Sequence, residues 1–271
     1  MEDLPPAPVP DPEPAAVEPG EEEFFDLAQA LAERIAEGLV AIGGDLSVPT
    51  LLAAYREGMF PWFTPEEPVL WYSPDPRFIL PLEDFHLPRS LGRTLARGVF
   101  ELRADTAVAE VIAGCAGQAR GEENSVWLSP AMEQAYLDLA AEGYVHSIEA
   151  WRGSQLVGGL YGLSLGGAFF GESMFHTERD ASKAALAGLV RALKAWGMTL
   201  LDCQVATEHL ARFGAREVPR SQFLVQLRRA LTQPTRRGSW TQGFGELQAA
   251  TPANLGQAQN EGGPATTGPS K

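Results

Sequence analysis

Apolar residues return every three or four positions along several stretches of the chain, and each stretch carries its own start and stop signals. Phe24, Leu27, Leu31 and Ile35 predict a helix over 24–37. Pro49 in a first turn and Gly58 beyond the last predict a short helix over 49–57. Proline there lacks only an N–H that a first turn leaves unpaired, and glycine accepts the left-handed turn that ends a helix. Residues 105–115 read as an Ala-rich amphipathic helix. Ser129-Pro130 opens another, with Met132, Ala135, Tyr136 and Leu139 at helical spacing and Gly143 past its end. Asp180 or Ser182 is placed to cap a helix over 184–196, which Gly197 ends, and shorter helices follow at 208–213 and 221–231.

Elsewhere the spacing changes to apolar runs. Residues 144–151 and 155–163 flank an Arg-Gly-Ser turn, and 168–174 return after Gly166-Gly167, which predicts a three-stranded antiparallel meander. A buried strand is expected over 198–205 and a short one at 216–218. The fold class is therefore α/β or α+β, a layered sheet with helices. Between Phe60-Pro61-Trp62-Phe63 and Trp71-Tyr72-Ser73-Pro74-Asp75-Pro76-Arg77 periodicity disappears. That stretch reads either as irregular structure packed on a core or as rings held rigid by prolines to stack on a ligand.

Charge divides the chain. Residues 1–23 hold eight acids and no base, and 246–271 are rich in Gly, Pro, Thr, Ala and Gln, so both ends are expected to be disordered tails. Of the net charge of −14, the tails account for −9 and residues 24–245 for only −5, so a nucleic-acid partner would need a local basic patch. Arg89, Arg93 and Arg97, four apart, form one such stripe if helical; a solvated face is the ordinary alternative. No apolar run is long enough to span a membrane, and no secretory leader is expected at the N-terminus. Cys115 and Cys203 have no metal-ligand spacing, nor have His86, His146, His176 and His209, so neither a metal nor a disulfide framework is expected, in keeping with a cytoplasmic protein.

The candidate chemistry lies between 166 and 204. Glu172 and the pair Asp202 and Gln204 sit on apolar strands, where a carboxylate is costly unless paired or used. Residues two apart on a strand share a face, so Asp202 is expected to point with Gln204, and Glu172 with Met174. Taken alone, these residues suit a satisfied buried network as well as a site.

The ordered motifs Gly43-Gly44-Asp45-Leu46, Gly58-Met59-Phe60-Pro61-Trp62-Phe63, the Trp71–Arg77 run quoted above, Trp127-Leu128-Ser129-Pro130, Gly171-Glu172-Ser173-Met174-Phe175, Ala181-Ser182-Lys183 and Asp202-Cys203-Gln204-Val205 resemble those of the leucyl/phenylalanyl-tRNA–protein transferases over about 24–244. The resemblance implies a small N-terminal domain over 24–76 and, over 77–245, a larger acyltransferase domain of the GNAT type with a mixed, largely antiparallel sheet flanked by helices. It implies transfer of Leu or Phe, and less readily Met, from aminoacyl-tRNA to the α-amine of proteins beginning with Arg or Lys, which marks them for N-degron proteolysis. No cofactor is implied, and a monomer without membrane attachment is expected.

The same resemblance assigns catalytic roles to Asp202, Gln204 and Glu172. It gives an apolar pocket for the amino acid at Met174, Phe169, Leu160 and Leu186. Trp62 and Trp127 match positions that would stack on the terminal adenosine, with Tyr55, nearby in sequence, as a further candidate, and Arg89, Arg93 and Arg97 would contact tRNA phosphates. The chain departs from the family pattern at Leu160, often Met, at Thr207, often Asn, and at His176, often Ser. Two other readings remain. One is an acetyl-coenzyme A-dependent N-acetyltransferase, whose pyrophosphate loop is matched only imperfectly at residues 118–123. The other is a non-catalytic tRNA- or peptide-binding module.

Overall fold

A computed structural model describes residues 21–117 and 128–250. The terminal segments read as tails, apart from Glu21–Glu23 and the stretch to 250, the 118–123 loop and Trp127 lie outside the described residues. Helix α1, Glu21–Ala36, forms one compact unit, and everything described from Glu37 onward forms the other.

The second unit is built on two sheets. Strands β1 (Leu39–Ile42), β2 (Phe60–Pro61) and β3 (Leu70–Tyr72) form a small antiparallel sheet in the order β1-β3-β2. Helix α2, Val48–Arg56, lies between β1 and β2 in sequence and starts with a proline in its first turn. The larger sheet has seven strands: β4 (Arg77–Leu80), β5 (Glu101–Ala104), β6 (Val145–Arg152), β7 (Gln155–Leu165), β8 (Ala168–His176), β9 (Leu200–Gln204) and β10 (Arg216–Val218). Their order is β10-β4-β9-β8-β7-β6-β5. Every neighbouring pair is antiparallel except β8 and β9, which run parallel because a helix joins them.

Strands buried on both faces read as long apolar runs, and β6 to β9 do so because helices cover both sides. One face carries α4 (Val108–Ala116), α5 (Pro130–Ala141) and α8 (Arg220–Ala230), whose Val111, Ile112, Met132, Tyr136, Phe223 and Leu227 join a single core with the small sheet. The other face carries α3 (Arg89–Ala96), α6 (Ala181–Ala195) and α9 (Thr241–Ala249), with Leu91, Leu186, Leu189, Leu193 and Phe244. Ser129 caps α5 as its position predicts, accepting from the Met132 N–H at 3.3 Å. Asp180 precedes α6 in a left-handed conformation, φ 71°, and caps nothing; its carboxylate takes Lys183 at 2.8 Å instead.

Helix α9 was not expected from a stretch with two glycines and a tail-like composition. It is held from outside. The Trp240 indole is buried, stacks on His146 at 3.8 Å and donates its backbone N–H to Asp105 at 2.7 Å. Thr241 donates to the Ala104 carbonyl at 2.8 Å.

The register between β7 and β8 slips once. Tyr161 faces Ser173 and Gly162 faces Gly171, so Glu172 is an inserted residue, a β-bulge. Gly162 is opposite this bulge because a Cβ there would overlap the Phe170 carbonyl oxygen and the Phe169 ring. Gly162→Ala is expected to lower stability by about 2–3 kcal/mol, the usual cost of overpacking, read as a fall in the urea midpoint. An unchanged midpoint would show that the bulge yields freely.

Candidate active site

The two parallel strands do not stay together. Their ladder pairs Ala168 to Phe170 with Leu200 to Asp202 and then stops, although β8 runs on to His176 and β9 to Gln204. Glu172 bulges just beyond the last pair, and Gln204 ends β9 at φ 64°. Both deviations end pairing. The opening beyond them is a cavity of about 540 Å³, within the range of small-ligand sites.

Leu160, Met174, Leu186, Leu189, Leu201 and Leu210 give the cavity an apolar wall, and Phe60, Pro61 and Trp62 of the small sheet stand at it. Glu172 and Gln204 reach the same cavity. Gln204 Nε2 lies 3.2 Å from each Glu172 carboxylate oxygen. The Tyr55 and Tyr136 hydroxyls donate to one oxygen each at 2.8 Å and sit 3.0 Å from one another. Burial, and then the Glu172 charge, hold both phenols well above the ordinary tyrosine pKa, so they remain donors. Burial pushes Glu172 up to about 7, against the pull of Tyr55, Tyr136 and Gln204, which lower it. With its N–H groups turned to Glu172, the Gln204 carboxamide oxygen has no hydrogen-bond partner among the described residues.

Asp202 lies behind this wall. It is fully buried and does not line the cavity. Arg77 grips it with two bonds, Nε to Oδ1 at 2.9 Å and Nη2 to Oδ2 at 2.6 Å. The guanidinium is itself buried between the rings of Phe60, 4.9 Å away, and Phe223, 4.5 Å away. Asp202 Oδ1 also accepts the backbone N–H of Gln204 at 2.9 Å. A left-handed conformation disfavours any residue with a side chain, and this bond holds Gln204 in it.

The structure brings together Glu172, Gln204, Met174, Leu160, Leu186 and Trp62 around one cavity, with Asp202 one layer behind. Other expectations need correction. Met174 does not share a face with Glu172: the bulge turns Glu172 to the tyrosines, while Met174 packs with the cluster of Leu160 and Leu186. Phe169 is fully buried, packs 5.7 Å from the Trp240 ring and does not line the cavity. Tyr55 is fully buried, with its ring edge on Phe170 and its hydroxyl on Glu172, so it has no face for a base. Trp62 is 42% exposed and has one. Arg89, Arg93 and Arg97 are exposed on α3 and make no ion pair among the described residues.

Arg77 and Tyr136 were missed as parts of the site. Arg77 stood in a quoted motif but its partner is 125 residues away, and Tyr136 fitted an apolar helix face. Cys203 also lines the cavity; burial and then Asp202 push its thiol pKa up, so it stays a thiol. Among the described residues no group of His, Cys, Asp and Glu has the arrangement of a metal site, and no helix is long and apolar enough to cross a membrane.

An apolar cavity with an ordered carboxylate and carboxamide on one wall has the form of an acyl-transfer enzyme's site. The leucyl/phenylalanyl-tRNA protein transferase model matches residues 79–228, and the model of that family's N-terminal domain matches 44–75. The chain is 53% identical over 213 residues to a leucyl/phenylalanyl-tRNA–protein transferase of Anaeromyxobacter sp. (strain Fw109-5), covering 79% of this chain and 91% of that one. It is 54% identical to the protein of the same name in Anaeromyxobacter dehalogenans (strain 2CP-C), covering 82% and 93%, and 52% identical to that in Myxococcus xanthus (strain DK1622), covering 76% and 88%. The chain belongs to the leucyl/phenylalanyl-tRNA–protein transferase family.

Glu172 supplies a test of the site's electrostatics. Folding raises its pKa from 4.5 to about 7. Its contribution to stability is therefore whole below about pH 4.5 and is lost as pH rises through about 7. The loss is on the order of 3 kcal/mol. Glu172→Gln is expected to flatten the change in urea stability between pH 5 and pH 7.5, and an equal change in both proteins would remove the assignment.

Proposed function

We propose that the protein transfers Leu or Phe, and less readily Met, from aminoacyl-tRNA to the α-amine of proteins that begin with Arg or Lys. The observation that carries this is the Gln204 carboxamide oxygen, without a partner among the described residues, on the polar wall of an apolar cavity. The reaction is aminolysis of an ester: the amine nitrogen bonds to the acyl carbon, the ester C–O bond breaks, and the ribose hydroxyl leaves with a proton. A peptide α-amine has a pKa near ~8, so a useful fraction is already neutral near neutral pH. A strong base is unnecessary, and holding the two reactants together supplies much of the rate.

In this reading the amino acid enters among Leu160, Met174 and Leu186, and Met174 adapts to either a branched or an aromatic side chain. The ester faces Gln204 and Glu172. The Gln204 oxygen accepts an N–H of the attacking amine, which aims the lone pair at the acyl carbon. A carboxamide is a very weak base, so its part is positioning. Glu172 offers a carboxylate to the cationic acceptor end. Asp202 acts through Arg77 and the Gln204 backbone rather than on the amine. The adenosine stacks on Trp62, a contact of roughly 1–3 kcal/mol, and on Trp127. The arginines of α3 meet acceptor-stem phosphates, contacts that orient without reading sequence. The chain acts as a cytoplasmic monomer, and its products enter N-degron proteolysis.

Gln204→Asn keeps the carboxamide, and asparagine tolerates the left-handed backbone, yet the oxygen withdraws by one methylene. With Leu-tRNA as donor, kcat for a protein beginning with Arg is expected to fall about 100-fold, with KM for the tRNA little changed. The same protein beginning with Ala should be a poor acceptor for either form. Unchanged kcat in the variant, or equal use of both acceptors, would contradict the reading.

A further inference from the structure

Beyond the acyl wall and its polar groups, the cavity has a side that no step above uses, with cations standing beside it rather than in its lining. His176, Ser182, Thr207 and His209 line it. Lys183 follows Ser182 on α6, and Arg212 follows helix α7, Glu208–Ala211. The Nε2 atom of His209 is buried and has no hydrogen-bond partner among the described residues. Its ring stands on edge against Phe213, with centroids 5.4 Å apart. Burial, then Lys183, His176 and Arg212, lower the pKa of His209. The imidazole is thus neutral, and Nε2 is a donor in one of its two tautomers.

Three acids stand nearby. Asp180 takes Lys183 at 2.8 Å and lies 3.7 Å from the exposed Arg179; Glu208 reaches Arg212 at 3.4 Å across open surface; Glu178 is held by Arg152 at 2.6 Å. The Arg212–Glu208 pair is exposed, and such pairs are worth about 0–1 kcal/mol, so it yields readily to a better anion; Asp180 and Glu178 are partly buried. The same end of α6 adjoins the arginine stripe: Leu95 of α3 packs against the cluster that holds Ala181 and Ala184.

We propose that this side of the cavity binds the phosphodiester that joins the terminal adenosine to the preceding nucleotide of the aminoacyl-tRNA, with His209 Nε2, Lys183 and Arg212 as its donors. This rests on the transferase reading. An aminoacyl-adenosine with its acyl group among Leu160, Met174 and Leu186 and its ester at Gln204 has one anionic exit, its 5′ oxygen. In the proposed pose that oxygen is directed to the side of His209, where Lys183 and Arg212 stand. Charge-assisted hydrogen bonds are stronger than neutral ones, and a phosphate gives the unpartnered His209 donor an acceptor.

Two small donors test this: 3′-O-leucyl-adenosine, and the same ester carrying a 5′-monophosphate. The wild-type protein is expected to favour the phosphorylated donor about tenfold in kcat/KM, a preference that shrinks with added salt. In His209→Ala and in Lys183→Gln with Arg212→Gln, the ratio of the two kcat/KM values is expected to fall towards one. Because both donors report on the same folded molecules, a partly misfolded variant changes both values and leaves the ratio readable. A wild-type ratio of one, or a preference that survives in both variants, would overturn the phosphate site. Failure of the wild type to use either ester or Leu-tRNA would overturn the transferase reading itself.

Discussion

The buried pair of Arg77 and Asp202 sets the position of the polar wall. Two charges removed from water are costly unless each is met by good partners. Here the carboxylate receives two guanidinium bonds and a backbone N–H, and the guanidinium lies between two aromatic rings. The pair joins β4 to β9, neighbours in the sheet but 125 residues apart in sequence. Its third bond turns Gln204 out of the strand. One interaction thereby ties the sheet, the end of β9 and the orientation of the carboxamide together.

The cavity follows from how the central strands part. A parallel pair joined by α6 begins as regular sheet and ends at Phe170 and Asp202. Beyond that point each strand has its own departure: the Glu172 bulge in β8, allowed by Gly162 opposite, and the left-handed Gln204 in β9. The core on one face supplies the apolar wall and that on the other supplies Tyr55 and Tyr136 behind Glu172. The site therefore has a greasy side and a polar side without burying an unpaired carboxylate.

The elements with strong periodicity were legible in the sequence. Helices α5 and α6 and the meander of β6, β7 and β8 lie within a few residues of their expected bounds, because an apolar face repeats over two or more turns or strands. Strands β1 to β5 were not read: they have two to four residues each, and β2 and β3 sit among prolines. Alternation placed Asp202 and Gln204 on one wall, yet only Gln204 lines the cavity; Asp202 is buried behind it and accepts the Gln204 backbone N–H. It failed for Glu172 and Met174, since a bulge inserts one residue and no local signal marks it. Tyr55 was taken for a stacking ring because it is near Trp62 in sequence, yet an amphipathic helix turned it inward. Arg77 had no reading of its own because its partner is distant along the chain.

The most direct test exchanges the ion pair for apolar side chains, a change that often leaves stability intact. The Arg77→Met, Asp202→Leu protein is expected to fold cooperatively and to transfer Leu from Leu-tRNA about 100-fold more slowly. Adding Gln204→Asn to it should cost nothing further, since the carboxamide has already lost its hold. A full additional loss from Gln204→Asn in that background would contradict the account, because it would mean that Gln204 keeps its place without the pair.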